Sequence, residues 1–277
     1  MEIKTKFLKQ QLLKWYKLNK REFSWRKTNN PWKILLIETL SQQTQLERAD
    51  AYYKIFVKEF PTPLKMAMSS KKKILQMWSG LGYNNRALRL YESSKILSQN
   101  GFDQIYPKFD ELPGVGKYTK DALLSFAYGD KVVAEDTHVN RIITRYFGVD
   151  DSSLFLKNYS KVLLQRVDSR SLNQAFMDFG IAICKSNKPL CKECPLEISC
   201  SKNFIIQKKR QGKFIGSNRE LRGKILKYLL KQEKTTIENL CNDFKLSEEK
   251  IEECITTMKR DGLVQVSKNN VIAIISN

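Results

Sequence analysis

Leu112-Pro113-Gly114-Val115-Gly116-Lys117-Tyr118-Thr119-Lys120-Asp121-Ala122-Leu123-Leu124-Ser125-Phe126-Ala127-Tyr128-Gly129 is the stretch on which the fold turns. Pro113 begins a turn, and Gly114 and Gly116 accept positive φ and carry no Cβ to hold another backbone away. Immediately afterwards Tyr118, Ala122, Leu123, Phe126 and Ala127 recur at helical spacing, and Gly129 closes the run. The pattern predicts a hairpin between helices, with the glycines at a helix N-terminus whose free N–H groups favour phosphate oxygens. The same glycines also suit a tight turn with no ligand. A second helix opens a few residues on, at Glu135-Asp136-Thr137-His138-Val139-Asn140-Arg141, with Asp136 as a good N-cap.

Charge gives the hairpin a partner. The 277 residues carry 49 Lys and Arg against 29 Asp and Glu, a net charge of +20, with an ordinary 42% hydrophobic content. Such an excess points to a polyanion, with nucleic acid first, although a lysine-rich proteome also makes basic surfaces. Asp136 then has two readings: a helix cap alone, or a carboxylate held beside a DNA strand gripped by the hairpin. No apolar run is long enough to span a bilayer, and Met1-Glu2-Ile3-Lys4-Thr5-Lys6-Phe7 lacks the apolar core of a signal peptide, so an intracellular, cytoplasmic, nucleoid-associated protein is expected.

Upstream, Ile3, Phe7, Leu8, Leu12, Trp15 and Tyr16 mark an amphipathic helix over 3–18. After Thr28-Asn29-Asn30-Pro31, a helix from Trp32 to Gln45 is nearly all apolar in its first half, yet Glu38 stands inside it. Glu38 either faces solvent from a polar edge or is buried among Leu36, Ile37 and Leu40, where desolvation would raise its pKa and let it hold a proton at neutral pH. Gln42-Gln43-Thr44-Gln45 offers amides and a hydroxyl of the kind that read base edges, or a plain polar helix end. Further helices are expected over 48–59, twice between Leu64 and Gly80, and from Asn84 through Ile96. Between the last two, Leu81 and Tyr83 stand among Gly80 and Gly82, either as a wedge into stacked bases or as packing at a helix junction. Residues 107–112 form the first arm of the hairpin and 117–128 the second.

Downstream, helices are expected from Thr137 to Phe147 and over 153–166 and 171–183. Cys184, Cys191, Cys194 and Cys200 follow at C-x6-C-x2-C-x5-C. In a reducing compartment six cysteines do not make a disulfide framework, and this loop can hold zinc or a [4Fe–4S] cluster; spacing does not separate the two. Residues 203–216 read as a basic linker. The tail, 217–277, reads as three helices and a β-hairpin, a winged-helix-like domain of the kind that binds DNA or docks on protein.

Taken together, Trp25-Arg26, Pro31-Trp32-Lys33 leading to Glu38, Gln42 to Gln45, Trp78 to Tyr83, Leu112 to Gly116, Asp136 and the cysteine loop make residues 1–202 resemble the helix-hairpin-helix DNA glycosylase superfamily. The resemblance is greatest to its adenine DNA glycosylase (MutY) branch. It implies an all-α fold with hairpin 112–119 and a [4Fe–4S] loop at 184–200, the cluster held by Cys184, Cys191, Cys194 and Cys200. It also implies a monomeric base-excision repair enzyme acting on double-stranded DNA that contains a mispair.

The implied chemistry has a neutral Glu38 protonating the ring nitrogen of a flipped adenine while an ionised Asp136 stabilises the cationic sugar. Position 118 is lysine in strand-cleaving relatives; Tyr118 has no amine, so a monofunctional glycosylase without efficient lyase activity is implied. By the same resemblance Arg21, Trp25, Tyr118 and Asp178 line the adenine pocket. Gln43, Thr44, Leu81 and Tyr83 surround the opposite base, expected to be 8-oxoguanine or guanine, and Gly114, Gly116 and Lys117 hold the DNA backbone. Tyrosine at 118 also occurs in relatives that remove thymine or uracil opposite guanine, and a non-catalytic iron–sulfur DNA-binding regulator is the reading from another class. Two departures stand out: Thr137-His138 where many members have Gly-Asn, which leaves His138 a structural role, and the winged-helix-like tail where a MutT-like domain is familiar.

Overall fold

The computed structural model describes residues 1–204 and 213–275; residues 205–212, the middle of the expected linker, and 276–277 lie outside the described residues. Thirteen α-helices are formed among the described residues. In chain order they are α1 (Glu2–Asn19), α2 (Pro31–Ser41), α3 (Leu46–Glu59), α4 (Pro63–Ala67), α5 (Lys71–Trp78), α6 (Asn85–Ile105), α7 (Lys117–Ala127), α8 (Thr137–Phe147), α9 (Ser152–Leu164) and α10 (Ser169–Ala182), then α11 (Asn218–Gln232), α12 (Ile237–Phe244) and α13 (Glu248–Arg260). Short polar side chains start many of them: Thr62, Ser70, Asp136, Asp151 and Asp168 each accept from an amide in the turn they open. Gly101, at φ 74°, breaks α6 near its end.

The chain divides into two compact units. One comprises Met1–Glu38, Ile105–Glu111 and the described residues from Val115 to Phe204. Here α1, α8, α9 and α10 enclose a core that includes Leu8, Leu12, Ile142, Tyr146, Phe155, Leu163, Phe176 and Phe179. Each such side chain contributes about 1.5–3 kcal/mol by leaving water. The other unit comprises Thr39–Gln104, Leu112–Gly114 and the described tail from Lys213. Its first part is centred on Phe56, which meets Phe60 and the edge of Trp78 at ring distances of 5.8 and 5.7 Å.

The tail is helical with a small antiparallel sheet of β1 (Lys234–Thr235), β2 (Val264–Val266) and β3 (Ile272–Ile274) in the order β1-β3-β2. Ile272 faces Thr235 on one side and Val266 on the other, and Ile225, Leu229, Leu240, Ile251, Met258 and Leu263 are buried in the same domain.

Three expectations need correction. The helix drawn from Trp32 to Gln45 stops at Ser41, and Gln43 turns back at φ 58°, so Gln42 to Gln45 form a loop. The cause is a cation 44 residues away in sequence: Arg86 Nη1 donates to the carbonyls of Thr39, Leu40 and Gln42, groups a continuing helix would have used. The first arm of the hairpin is only a short 3-10 turn at Phe109–Glu111. The wing holds a third strand, β1, two residues long and too short to show an alternation of its own.

Candidate active site

Glu38, Tyr118 and Asp136 come from three elements and meet in one unit. Glu38 projects from the apolar helix α2 and is 5% exposed. Burial, countered by a hydrogen bond with the Tyr118 side chain and reinforced by the charge of Asp136, pushes its pKa up to about 7. Burial beside both carboxyl groups raises the Tyr118 phenol well above its ordinary value, so it stays protonated.

Asp136 caps α8, the first of its two readings. Its Oδ1 accepts from the amides of His138 at 2.8 Å and Val139 at 2.7 Å, the cap of α8, and the carboxylate also lies close enough to Glu38 to disfavour a second charge. Burial raises the Asp136 pKa, opposed by His138, by those two amides and by Arg141. The two acids therefore differ in surroundings: Glu38 is buried on an apolar helix, whereas Asp136 receives amide donors at the positive end of a helix.

Arg21, Trp25 and Asp178 lie together in the same unit. The 1%-exposed carboxylate of Asp178 receives Arg21 Nε at 2.8 Å, Arg26 Nη1 at 2.7 Å, Arg26 Nη2 at 2.8 Å and the Arg21 amide at 3.1 Å. Burial would raise its pKa, but these donors, Arg26 foremost, hold it below the usual carboxylate range. Asp178 thus clamps the 21–26 segment. Arg26, its second partner, is the residue sequence reasoning quoted without giving it a role. Trp25 is buried between Phe23, stacked at 5.7 Å, and the Arg26 guanidinium at 5.3 Å. Its indole N–H is buried with no partner among the described residues, a donor available to a ligand's acceptor.

His138 is packed between Arg141 and α10. Its ring sits 2.9 Å from Arg141 Nη2 and against Gly180 of α10; a Cβ on Gly180 would fall 2.5 Å from Nδ1 and 2.8 Å from the histidine Cβ. A glycine inside a helix is the sequence signal that could have revealed this approach. Gly180→Ala is expected to destabilise the protein by about 1–3 kcal/mol despite its better helix propensity, read as a lower urea midpoint at unchanged slope.

The second unit gathers the residues expected around an opposite base. Arg86 is buried and donates to the carbonyls of Leu81 and Gly82, to Thr44 Oγ1 and to the end of α2, with its guanidinium over Trp78 and Tyr83 at 5.0 and 5.8 Å. Burial pulls its pKa down to about 10, which leaves it charged at neutral pH. Leu81 is buried, Gln43 is exposed and Tyr83 is half-buried at φ 46°, so one arginine fixes both loops; sequence reading missed it because a basic residue near a helix start looks like surface.

In the hairpin, Gly114 takes φ 82° and a Cβ there would meet Arg89 Cβ at 3.0 Å, while Gly116 is the N-cap position of α7. Lys117 is exposed and pairs with Asp121 at 3.1 Å; Lys120 pairs with Asp110 at 2.8 Å. Both lysine amines are engaged by carboxylates other than Glu38 and Asp136.

Cys184, Cys191, Cys194 and Cys200 are free, half-buried thiols. Burial, with a smaller contribution from the other three sulfurs, pushes Cys194 up to about 11. Among the described residues no three His, Cys, Asp or Glu side chains converge as ligands of a single ion. As a donor set, four half-buried thiols within one short loop fit a thiophilic group. Arginines of α8 hold the loop: Arg141 Nε donates to the Cys184 carbonyl at 2.8 Å, and Arg145 Nη1 donates to the Lys185 carbonyl at 2.7 Å and lies 3.6 Å from Cys184 Sγ.

Known proteins resemble this chain in sequence and in fold. Residues 37–166 match the family described as HhH-GPD superfamily base excision DNA repair protein. Over 222 residues the chain is 34% identical to an adenine DNA glycosylase of Buchnera aphidicola subsp. Baizongia pistaciae, covering 74% of this chain and 62% of that protein. It is 31% identical to one of Mycobacterium tuberculosis, covering 79% and 77%. Among solved structures, a thermostable thymine-DNA glycosylase superposes with a TM-score of 0.67 at 28% identity, covering 72% of this chain and 96% of that one. An endonuclease III–DNA complex, at 24% identity and a TM-score of 0.61, shares the fold.

Proposed function

From the premise that the chain belongs to the HhH-GPD superfamily of base excision DNA repair proteins, we propose that it is a monofunctional DNA glycosylase that hydrolyses the N-glycosidic bond of adenine mispaired with 8-oxoguanine or guanine. The observation that carries this is the buried Glu38, pushed up to about 7 beside a second carboxyl group at a helix N-terminus. A neutral purine is a poor leaving group. Glu38, which at a pKa of about 7 still holds its proton in a substantial fraction of molecules at neutral pH and is steadied by Tyr118, donates that proton to a ring nitrogen, so the base departs without negative charge. The sugar left behind carries developing positive charge, and the Asp136 carboxylate, fixed by its two amides, stabilises it until water adds.

Trp25 supplies a buried donor for an acceptor on the extruded base, and Arg21 stands in the same wall with Asp178 as its anchor. Tyr118 offers no amine for a Schiff base, and Lys117 and Lys120 are paired elsewhere. Gln43, Thr44, Leu81 and Tyr83 are assigned to the opposite base, and Gly114, Gly116 and Lys117 to the phosphates beside the hairpin. The net charge of +20 suits a double-stranded DNA partner, and among the described residues no helix is long and apolar enough to cross a membrane.

The test is a panel of labelled duplexes with adenine opposite 8-oxoguanine, adenine opposite guanine, and thymine or uracil opposite guanine. Alkali-dependent cleavage of the adenine strands, with no borohydride-trapped adduct, is the expected outcome; cleavage confined to thymine or uracil would replace adenine as the substrate. That second reading is favoured by the likeness to the thermostable thymine-DNA glycosylase.

The four cysteines are assigned to a [4Fe–4S] cluster, which when bound supplies a rigid cross-link for the loop presenting Lys185, Lys188 and Lys192 to phosphates. Anaerobically purified protein is expected to be brown, with about four iron atoms per chain; a colourless, zinc-loaded and fully active preparation would refute the assignment.

A further inference from the structure

The winged-helix tail meets the Gly80–Tyr83 loop within one unit. Arg219, in the first turn of α11, donates from Nη1 to the Tyr83 hydroxyl at 3.0 Å. Its guanidinium also lies 5.9 Å from the ring of Phe214, a second tail residue, which steadies it. Two further contacts seat the tail on the same part of the chain: Lys72 pairs with Glu233, and a Cβ on Gly262 would lie 3.9 Å from Leu88.

Tyr83 has reason to need support. It sits at φ 46° after Gly82 at φ 72°, a conformation that a non-glycine residue holds only when its surroundings fix it. Arg86 fixes the backbone beside it by donating to the Gly82 carbonyl, and Arg219 fixes the far end of the ring. The tail is ill suited to groove reading: the first two turns of α13, the second helix of the α12–α13 pair, expose Glu248, Glu249, Glu252 and Glu253 against Lys250 alone, with Lys259 and Arg260 only at the far end, so the end that would enter a phosphate-lined groove is acidic.

We infer that the tail is a brace for base recognition, with Arg219 as a positioning residue that acts through the Tyr83 hydroxyl to set the fit to the base opposite the excised one. The inference rests on the assignment of Tyr83 to that base. The experiment is a double-mutant cycle of Arg219→Ala and Tyr83→Phe in the full chain. Its readouts are affinity for the adenine·8-oxoguanine and adenine·guanine duplexes and hydrogen exchange of the free protein. Arg219→Ala is expected to weaken binding about 10-fold, the loss of one charge-assisted hydrogen bond, and to change the ratio between the two opposite bases. The double variant should lose no more than the larger single loss, and Arg219→Lys should recover part of it.

In the DNA-free protein, amides of Gly82 to Asn84 should exchange faster in Arg219→Ala. Additive losses with a salt dependence shallower by about one ion would make Arg219 a direct phosphate contact and overturn the inference. Unchanged exchange at 82–84 would overturn it as well. Failure of the wild type to release adenine from any duplex would instead sink the glycosylase reading, since the exchange measurement needs no substrate.

Discussion

Replacing Glu38 by Gln is expected to slow base release by about 10²- to 10⁴-fold while leaving duplex affinity nearly intact, because the amide keeps the shape and removes the acidic proton. Single-turnover excision measured alongside equilibrium binding checks both halves. The wild-type rate should fall as pH rises through about 7, where Glu38 gives up its proton, and that limb should vanish in the variant.

The substitution that slows the reaction should raise stability. In the folded chain the Glu38 pKa is about 7 against an ordinary 4.5, so the native state binds the proton more tightly than the unfolded chain between those values. Stability is therefore lost as pH rises across that window and does not return above it, a loss on the order of 3 kcal/mol. Gln carries no charge to bury, so Glu38→Gln should be the more stable protein at pH 8 in urea unfolding. Equal stability together with undiminished turnover would remove Glu38 from the chemistry.

Asp178→Ala is the second large effect. It leaves the 6%-exposed Arg26 side chain buried without its counter-charge and frees the 21–26 segment, at a cost of about 3–5 kcal/mol. Asp178→Asn, which keeps the shape and can still accept hydrogen bonds, should cost less, and the order of urea midpoints checks this. The wild-type contribution follows from the depressed pKa. It is present above the ordinary carboxylate value and lost as pH falls through the lower, folded one, so the variant and wild-type stabilities should converge in acid.

Much of this site was legible because its residues break local rules. Glu38 interrupts an apolar helix, Asp136 begins a new one, and Gly114, at φ 82°, makes a turn that most residues cannot, whereas Gly116 needs no positive φ and sits at −94°. Each is a mismatch visible within a few positions. What escaped the sequence depends on partners far along the chain. Arg86 ends α2 from 44 positions away and so decides that Gln43 lies in a loop. The engagement of Asp178 by Arg26 spans 152 positions, and the approach of His138 to Gly180 is decided by how α8 lies on α10. Periodicity reports which face of a helix is wet, but it carries no information about which distant cation will reach a carbonyl.

The cap on α8 carries a thermal consequence. The oxygen of Asp136 that steadies the first turn belongs to the carboxylate assigned to the sugar cation, so its aim is only as good as that turn. Helix ends fray at temperatures where cores are still intact. Heating should accordingly inactivate this protein reversibly, several degrees before it melts.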